Sequence, residues 1–78
     1  MPRYYFHLHN DLDVRDEEGR ELPDQKAARA EAIRGARDLM AEDVKRGRLT
    51  LSHWIEVRDE AGAQLFVLRY GEAVEIVS

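Results

Sequence analysis

One uninterrupted helical stretch, from about Asp24 to Arg46, most constrains what this chain can fold into. Pro23 precedes it and Gly47 follows it, and these residue types favour a helix start and a helix end. Between them, apolar residues recur at the three- and four-residue spacing of a helix that covers a sheet with one face. They are Ala28, Ala32, Ile33, Ala36, Leu39, Met40 and Val44. The sequence therefore predicts one long helix with an alanine-rich apolar face.

The segments on either side of this helix alternate apolar and polar residues, as strands with one buried face do. Glycine-containing turns separate them, at Asp16 to Gly19 and at Asp59 to Gly62. The predicted strands are Arg3–His9, a short hairpin of Val14–Arg15 with Arg20–Leu22, His53–Arg58, Ala63–Arg69 and a final Ala73–Val77. We therefore predict an α+β fold of order β(β)αββ, with one long helix packed on a small antiparallel sheet, in a single domain over residues 1–78.

Composition limits the classes to which this chain can belong. With 78 residues and no cysteine, it is a small domain without disulfides, which favours a reducing compartment. Neither a secretory signal nor an apolar run of membrane-spanning length is visible, so we expect a soluble cytoplasmic protein. The net charge of −4 arises within residues 11–21, where six acids stand against two bases. This balance disfavours non-specific nucleic-acid binding, and we expect the acidic segment to be a solvated loop.

Alternation divides the predicted sheet into a face under the helix and a far face. The residues predicted under the helix are Tyr4, Phe6, Leu8, Ile55, Val57, Leu65 and Val67. The far face then carries aromatic and apolar side chains where half-exposed sheets normally carry polar ones. The candidate interaction surface on it consists of Arg3, Tyr5, His7, Trp54, Arg58, Phe66 and Leu68, with His9, Glu56 and Gln64 beside them. Such a patch indicates a dimer or partner interface, unless the C-terminal segment or the acidic hairpin covers it.

The residues that carry chemistry match no catalytic pattern. His7 and His9 lie two apart on one strand and point the same way, but a zinc site would need further ligands from Asp11, Asp13 or His53. The run that begins at Asp11 lacks the sixth-position glycine and twelfth-position glutamate of a calcium loop. The one serine beside a histidine points to the opposite face of its strand. We therefore predict no catalytic, cofactor-binding or metal-binding residues, and no cofactor.

A single-stranded nucleic-acid platform is the main alternative use of the far face. The rings of Tyr5, Trp54 and Phe66 are suited to stacking on bases, and Arg3 and Arg58 are suited to binding phosphates. The acidic balance of the chain and the lack of a basic cluster along that face disfavour this interpretation.

Several motifs recur together over nearly the whole chain. They are Pro2-Arg3-Tyr4-Tyr5-Phe6-His7-Leu8, the Asp16 to Gly19 turn, Glu21-Leu22-Pro23-Asp24 followed by Ala28-Arg29-Ala30-Glu31-Ala32, Ile55-Glu56-Val57 with Asp59 and Gly62, and Ala73-Val74-Glu75-Ile76. This combination resembles a family of short proteins of unknown function that is common in rhizobia and related alphaproteobacteria. The resemblance implies a small stand-alone bacterial protein, and it supplies neither an activity nor functional residues.

These observations predict a small non-catalytic bacterial interaction module. We expect it to form a homodimer through the aromatic far face or to bind another protein there, and we expect no membrane partner. The alternative is a nucleic-acid-binding regulator, for example an antitoxin-like protein, by analogy of size and fold class alone.

Overall fold

The computed structural model describes all residues, 1–78, and contains one long helix where the sequence predicts it. Helix α1 spans Gln25–Lys45, and Asp24 is its N-cap, accepting a hydrogen bond from the Ala27 N–H at 2.9 Å. At the other end Gly47 has a φ of +81°, which only glycine adopts freely. The predicted boundaries, which included the two capping residues, are confirmed.

The apolar face of α1 is narrower than predicted. Its buried residues are Ala28, Ala32, Ala36 and Met40, which recur every fourth position. Ile33 and Leu39 pack partly against this core. Val44 continues the same row but is 57% exposed. The small alanines let the helix approach the sheet closely over its first three turns.

The sheet has five antiparallel strands, so the predicted α+β class with one helix on a small antiparallel sheet is confirmed. Their bounds are β1 Arg3–His9, β2 Asp13–Val14, β3 Arg20–Glu21, β4 Trp54–Arg58 and β5 Gln64–Arg69. The order across the sheet is β2-β1-β4-β5, and β3 also pairs with β1. The long strand β1 is therefore central, while β5 forms one edge and the two short strands form the other.

The predicted hairpin in the acidic segment is wrong, because β2 and β3 do not pair with each other. Instead each pairs with β1, with Val14 opposite Leu8 and Arg20 opposite Tyr4. Residues 13–21 thus form one interrupted partner strand that loops out between its two short pieces. The loop contains the predicted turn, and Gly19 there has a φ of +68°.

The predicted final strand Ala73–Val77 is also wrong. Strand β5 runs directly into a 3-10 turn at Tyr70–Glu72, and the residues after it have no regular structure. Tyr70 and Ala73 are buried in the core, and the Ala73 carbonyl accepts a hydrogen bond from Arg37 Nε of the helix at 2.8 Å. The C-terminal segment therefore begins on the helix side of the sheet and does not cover the far face.

The predicted orientation of β5 is wrong as well. Ile55 pairs with Leu68 and Val57 with Phe66, so Leu68 and Phe66 lie under the helix, and Leu68 is fully buried. Val67 lies opposite Glu56 on the far face. All four residues from position 65 to 68 are apolar, so alternation gives no phase for this strand. A bulge opposite the end of β4 shifts the register by one residue.

The molecule is thin and exposes much of its surface. Ten residues are buried, the accessible surface is 5473 Å², and the principal extents are 39 × 24 × 16 Å. A monomer of 9.1 kDa is expected to expose about 4,900 Å² and to have a radius of gyration near 11.5 Å, whereas this chain has 12.7 Å. No helix in it combines the length and the apolar character needed to cross a membrane.

Candidate functional site

The far face of the sheet, on the side away from α1, holds a group of charged and aromatic side chains. Pairing of β1, β4 and β5 arranges them in three rows across the sheet. The rows are His9 with Trp54 and Arg69, His7 with Glu56 and Val67, and Tyr5 with Arg58 and Gln64. The face is thus more polar than the sequence predicts, with Trp54 and Val67 as its exposed apolar members.

A line of paired charges crosses this face. His9 Nδ1 lies 2.9 Å from Asp13 Oδ1, and His9 Nε2 lies 3.1 Å from Glu56 Oε1. The other oxygen of Glu56 binds the guanidinium of Arg58, which also donates a hydrogen bond to the Gly62 carbonyl. The carboxylate of Glu56 is only 13% exposed and is held by two cationic partners. This geometry fixes the side chains of β1, β4 and the following hairpin relative to one another.

Protonation equilibria follow from this pairing. Hydrogen bonds from Asp13 and then Glu56 raise the pKa of His9, because both carboxylates favour the imidazolium form. Burial acts to raise the pKa of Glu56, but the hydrogen bonds and charges of Arg58 and His9 outweigh it and lower that pKa. Glu56 is therefore ionised and fully bonded at neutral pH, and it is poorly placed to accept a proton as a general base.

The Asp16 carboxylate holds the acidic loop against β1, and we call this set of contacts the Asp16 clip. One oxygen of its carboxylate accepts from the Phe6 N–H at 3.1 Å, and the other accepts from the N–H groups of Glu18 and Gly19 at 3.2 and 3.0 Å. Its own N–H donates to His7 Nδ1 at 3.0 Å, which places the His7 proton on Nε2. Partial burial would raise the pKa of Asp16, but the three backbone N–H groups outweigh it and lower that pKa.

An open groove lies beside the far face, next to the acidic loop that the Asp16 clip holds in place. Its volume is about 550 Å³, and it lies between the acidic loop and the β4–β5 hairpin. Tyr5, His7 and Arg58 form its floor, and Arg15 and Glu60 are at its sides. Arg15 is exposed and forms no ion pair, so it is the free cation of this groove. Four acids line the groove with the two arginines, namely Asp16, Glu17, Asp59 and Glu60, so its charge is predominantly negative.

Trp54 lies at the end of the far face where β4 begins. Its indole stacks on the His9 imidazole with ring centroids 5.0 Å apart and an interplanar angle of 17°. It is nevertheless 39% exposed. A flat aromatic ring that is fixed on one side and open on the other is a residue type that interfaces favour.

The structure places five of the seven residues of the candidate interaction surface on the far face. They are Arg3, Tyr5, His7, Trp54 and Arg58. Arg3 lies at the start of β1, where its guanidinium binds the Glu18 carbonyl at 2.7 Å and the Glu21 carboxylate at 3.1 Å.

The remaining two residues of that surface, Phe66 and Leu68, lie under the helix, as the register of β5 requires. The guanidinium of Arg29 on α1 covers the Phe66 ring at 5.9 Å. Sequence reasoning missed Asp16, whose role depends on the pairing of its loop with β1, and it also missed the exposed Val67.

The two histidines of β1 are both engaged by protein groups. His9 uses both ring nitrogens in ion pairs, and His7 Nδ1 accepts from the Asp16 N–H. Asp11 lies near His53 instead, 3.5 Å from its Nε2. No group of three or more histidine, aspartate or glutamate side chains is close enough together to hold a metal ion.

Fold and site together define a small α+β domain in which a single helix covers one face of an antiparallel sheet and paired charges occupy the other. The chain belongs to the family described as a domain of unknown function, DUF6894, whose model matches residues 3–71. This match confirms the expected membership in a family of unknown function, whereas alphaproteobacterial origin stays a prediction. Comparison with curated proteins and with solved structures gave no match.

Proposed function

We propose that this protein is a non-catalytic interaction module of the bacterial cytoplasm and that it acts as a homodimer. The observation that carries the proposal is the large solvent-accessible area of the chain. The chain exposes 5473 Å², about a tenth more than the roughly 4,900 Å² expected of a monomer of its mass. Only ten residues are buried, and no disulfide adds to this core. Small domains of this kind commonly gain stability from a partner subunit.

The chemistry of the far face supports binding rather than catalysis. Its most buried carboxylate, on Glu56, is bonded to His9 and Arg58, and those bonds hold it in one protonation state. The face carries the exposed Trp54 and the half-buried Tyr5, and the exposed Arg15 lies beside it. Tryptophan, tyrosine and arginine contribute most to the binding energy of protein interfaces.

Nucleic-acid binding has less support. Of the five residues that it needs, Phe66 lies under the helix, and Arg3 and Arg58 bind protein oxygens. Tyr5 and Trp54 remain on the far face, but the acids around the groove and the net charge of −4 oppose phosphate binding.

Light scattering of the purified chain tests the proposal. At tens of micromolar we expect twice the 9.1 kDa mass of the chain, and a melting temperature that rises with protein concentration, because dimerisation stabilises the folded state by mass action. Trp54→Ala should weaken assembly while leaving the helix content unchanged by circular dichroism. A 9.1 kDa species whose melting temperature is independent of concentration would refute the homodimer.

A further inference from the structure

Exposed apolar side chains gather at the end of the molecule where α1 finishes. We call this group the apolar tip, and it consists of Leu12, Val44, Leu49, Leu51 and Trp54. Their exposed fractions are 74, 57, 43, 37 and 39% respectively. They make up half of the large hydrophobic residues that the chain exposes. The sequence does not reveal the group, because Leu12 is far along the chain from the other four members.

Polar contacts connect three segments, namely the loop that carries Leu12, the end of α1 and the residues that follow the helix. Asp11 Oδ1, next to Leu12, lies 3.5 Å from His53 Nε2 and 3.9 Å from Arg48, next to Leu49. The Arg48 N–H donates to the Asp43 carbonyl at 3.1 Å, which ties the same loop to the last turn of the helix. The five residues therefore lie at the same end of the molecule.

The core extends directly beneath the tip. The N–H groups of Tyr70 and Gly71 donate to the carbonyls of His53 and Leu51 at 2.8 and 3.0 Å. The buried Tyr70 ring packs edge-on against the His53 ring, with centroids 5.6 Å apart. The loop that carries Leu49 and Leu51 is thus anchored on the core and presents its leucines outward.

The area of the tip fits a symmetric contact. Its five residues expose on the order of 450 Å², within the size range of functional apolar patches. Two copies that meet tip to tip would bury about 900 Å² from these residues alone, and a stable interface buries about 1,200–2,000 Å² in total. The remaining area of such an interface would come from the residues around the tip.

The charges around the tip favour a second copy of this chain as the partner. Asp11 and Arg48 are each 71% exposed and are separated by 3.9 Å, so they form only a weak contact within one chain. Across a two-fold axis the same two residues can pair with their counterparts in the other copy. We infer that the apolar tip is the surface through which two copies associate, an inference that rests on the proposed homodimer.

The open edge of the sheet is a weaker candidate for the contact. Because the Tyr70 N–H points to β4, the neighbouring Arg69 N–H points away from the sheet, and the Glu72 carboxylate binds it at 3.0 Å. The bulge at the other end of β5 disrupts pairing there. Between these two ends of β5 only the segment around Val67 is open to pairing, and it is too short to add another strand.

Charge insertion at the tip tests the inference. Leu12→Glu and Leu49→Glu each place a carboxylate in the contact, and the dissociation constant of the dimer should rise by about tenfold or more. Ile76→Glu is the matched control, because Ile76 is 66% exposed in the C-terminal segment and lies outside the tip. It should leave the dissociation constant unchanged. Circular dichroism verifies that each variant keeps its helix.

A charge swap identifies the partner as a second copy. Asp11→Arg and Arg48→Asp should each weaken the dimer, because each leaves like charges opposite one another across the two-fold axis. Mixing the two purified variants should restore the affinity, because these two chains complement each other's charges only across a contact between copies. If the dimer persists unchanged in both leucine variants, the tip inference is wrong and the homodimer stands. If the wild-type chain is monomeric, the homodimer itself is refuted, and the tip cannot be a contact between copies.

Discussion

Replacing Gly19 with alanine should destabilise the fold more than any other glycine replacement in this chain. Its φ is +68°, so an alanine there costs about 1 kcal/mol or more in backbone conformation. In addition, a Cβ would lie 2.9 Å from the Tyr4 carbonyl oxygen, from Arg3 Cγ and from Tyr5 Cε2. Crowding of this kind typically costs 1–3 kcal/mol, because a backbone oxygen in a central strand cannot easily move. We therefore expect a loss of about 3 kcal/mol in the free energy of unfolding.

Gly62→Ala provides the matched control. Gly62 has a φ of +84°, but a Cβ there would meet no atom within 4 Å. Both substitutions restrict the unfolded chain equally, so that contribution cancels in the comparison. Urea unfolding at one protein concentration, followed by far-ultraviolet circular dichroism, should place Gly19→Ala about 2 kcal/mol below Gly62→Ala. Equal losses for the two variants would show that the acidic loop does not pack tightly on β1.

Three further outcomes are expected. Gly35→Ala should stabilise the chain by up to about 1 kcal/mol in the same urea assay, because alanine favours a helix and the new Cβ would meet only Ile55 Cδ1, at 3.9 Å. A loss of stability in this variant would mean that the helix packs closer to the sheet than this distance. Asp16→Asn should cost about 2 kcal/mol through the Phe6 N–H that it no longer satisfies. The lowered pKa of Asp16 means that its ionised form stabilises the fold. This stabilisation is present above the ordinary aspartate pKa and is lost as the pH falls through the lowered value. The melting temperature of Asp16→Asn should therefore lack this part of the pH dependence of the wild-type chain. The raised pKa of His9 means that its protonated form stabilises the fold. This stabilisation is present below the ordinary histidine pKa and is lost as the pH rises through the raised value. An NMR titration of the His9 imidazole with a midpoint at or below the ordinary histidine pKa would contradict this prediction.

Local signals in the sequence are sufficient to predict α1 and β1. The helix begins and ends at residues whose effect is independent of the rest of the fold, namely the capping Asp24 and the left-handed Gly47. Strand β1 alternates cleanly, and it is observed with its predicted bounds, Arg3–His9. For these elements, tertiary contacts reinforce a preference that the chain already has.

The candidate site is harder to predict because it depends on which strands become neighbours. The phase of β5 cannot be read from four consecutive apolar residues, so Phe66 and Leu68 are misplaced by sequence reasoning. The clip at Asp16 is another example: its turn is visible in the sequence, but its hydrogen bond to Phe6 appears only when the loop pairs with β1. The apolar tip likewise forms only when the loop that carries Leu12 meets the end of α1 and the segment that follows it.

The row of alanines on α1 has a consequence for how the protein responds to heat. Ala28, Ala32 and Ala36 bring the helix close to the sheet, but each contributes little nonpolar area to the interior. The heat capacity of unfolding scales with the nonpolar area that becomes hydrated, so this chain should have a smaller value per residue than proteins with larger interior side chains. The free energy of unfolding then varies little with temperature, and the fraction of folded protein should stay nearly constant over a wide range of growth temperatures.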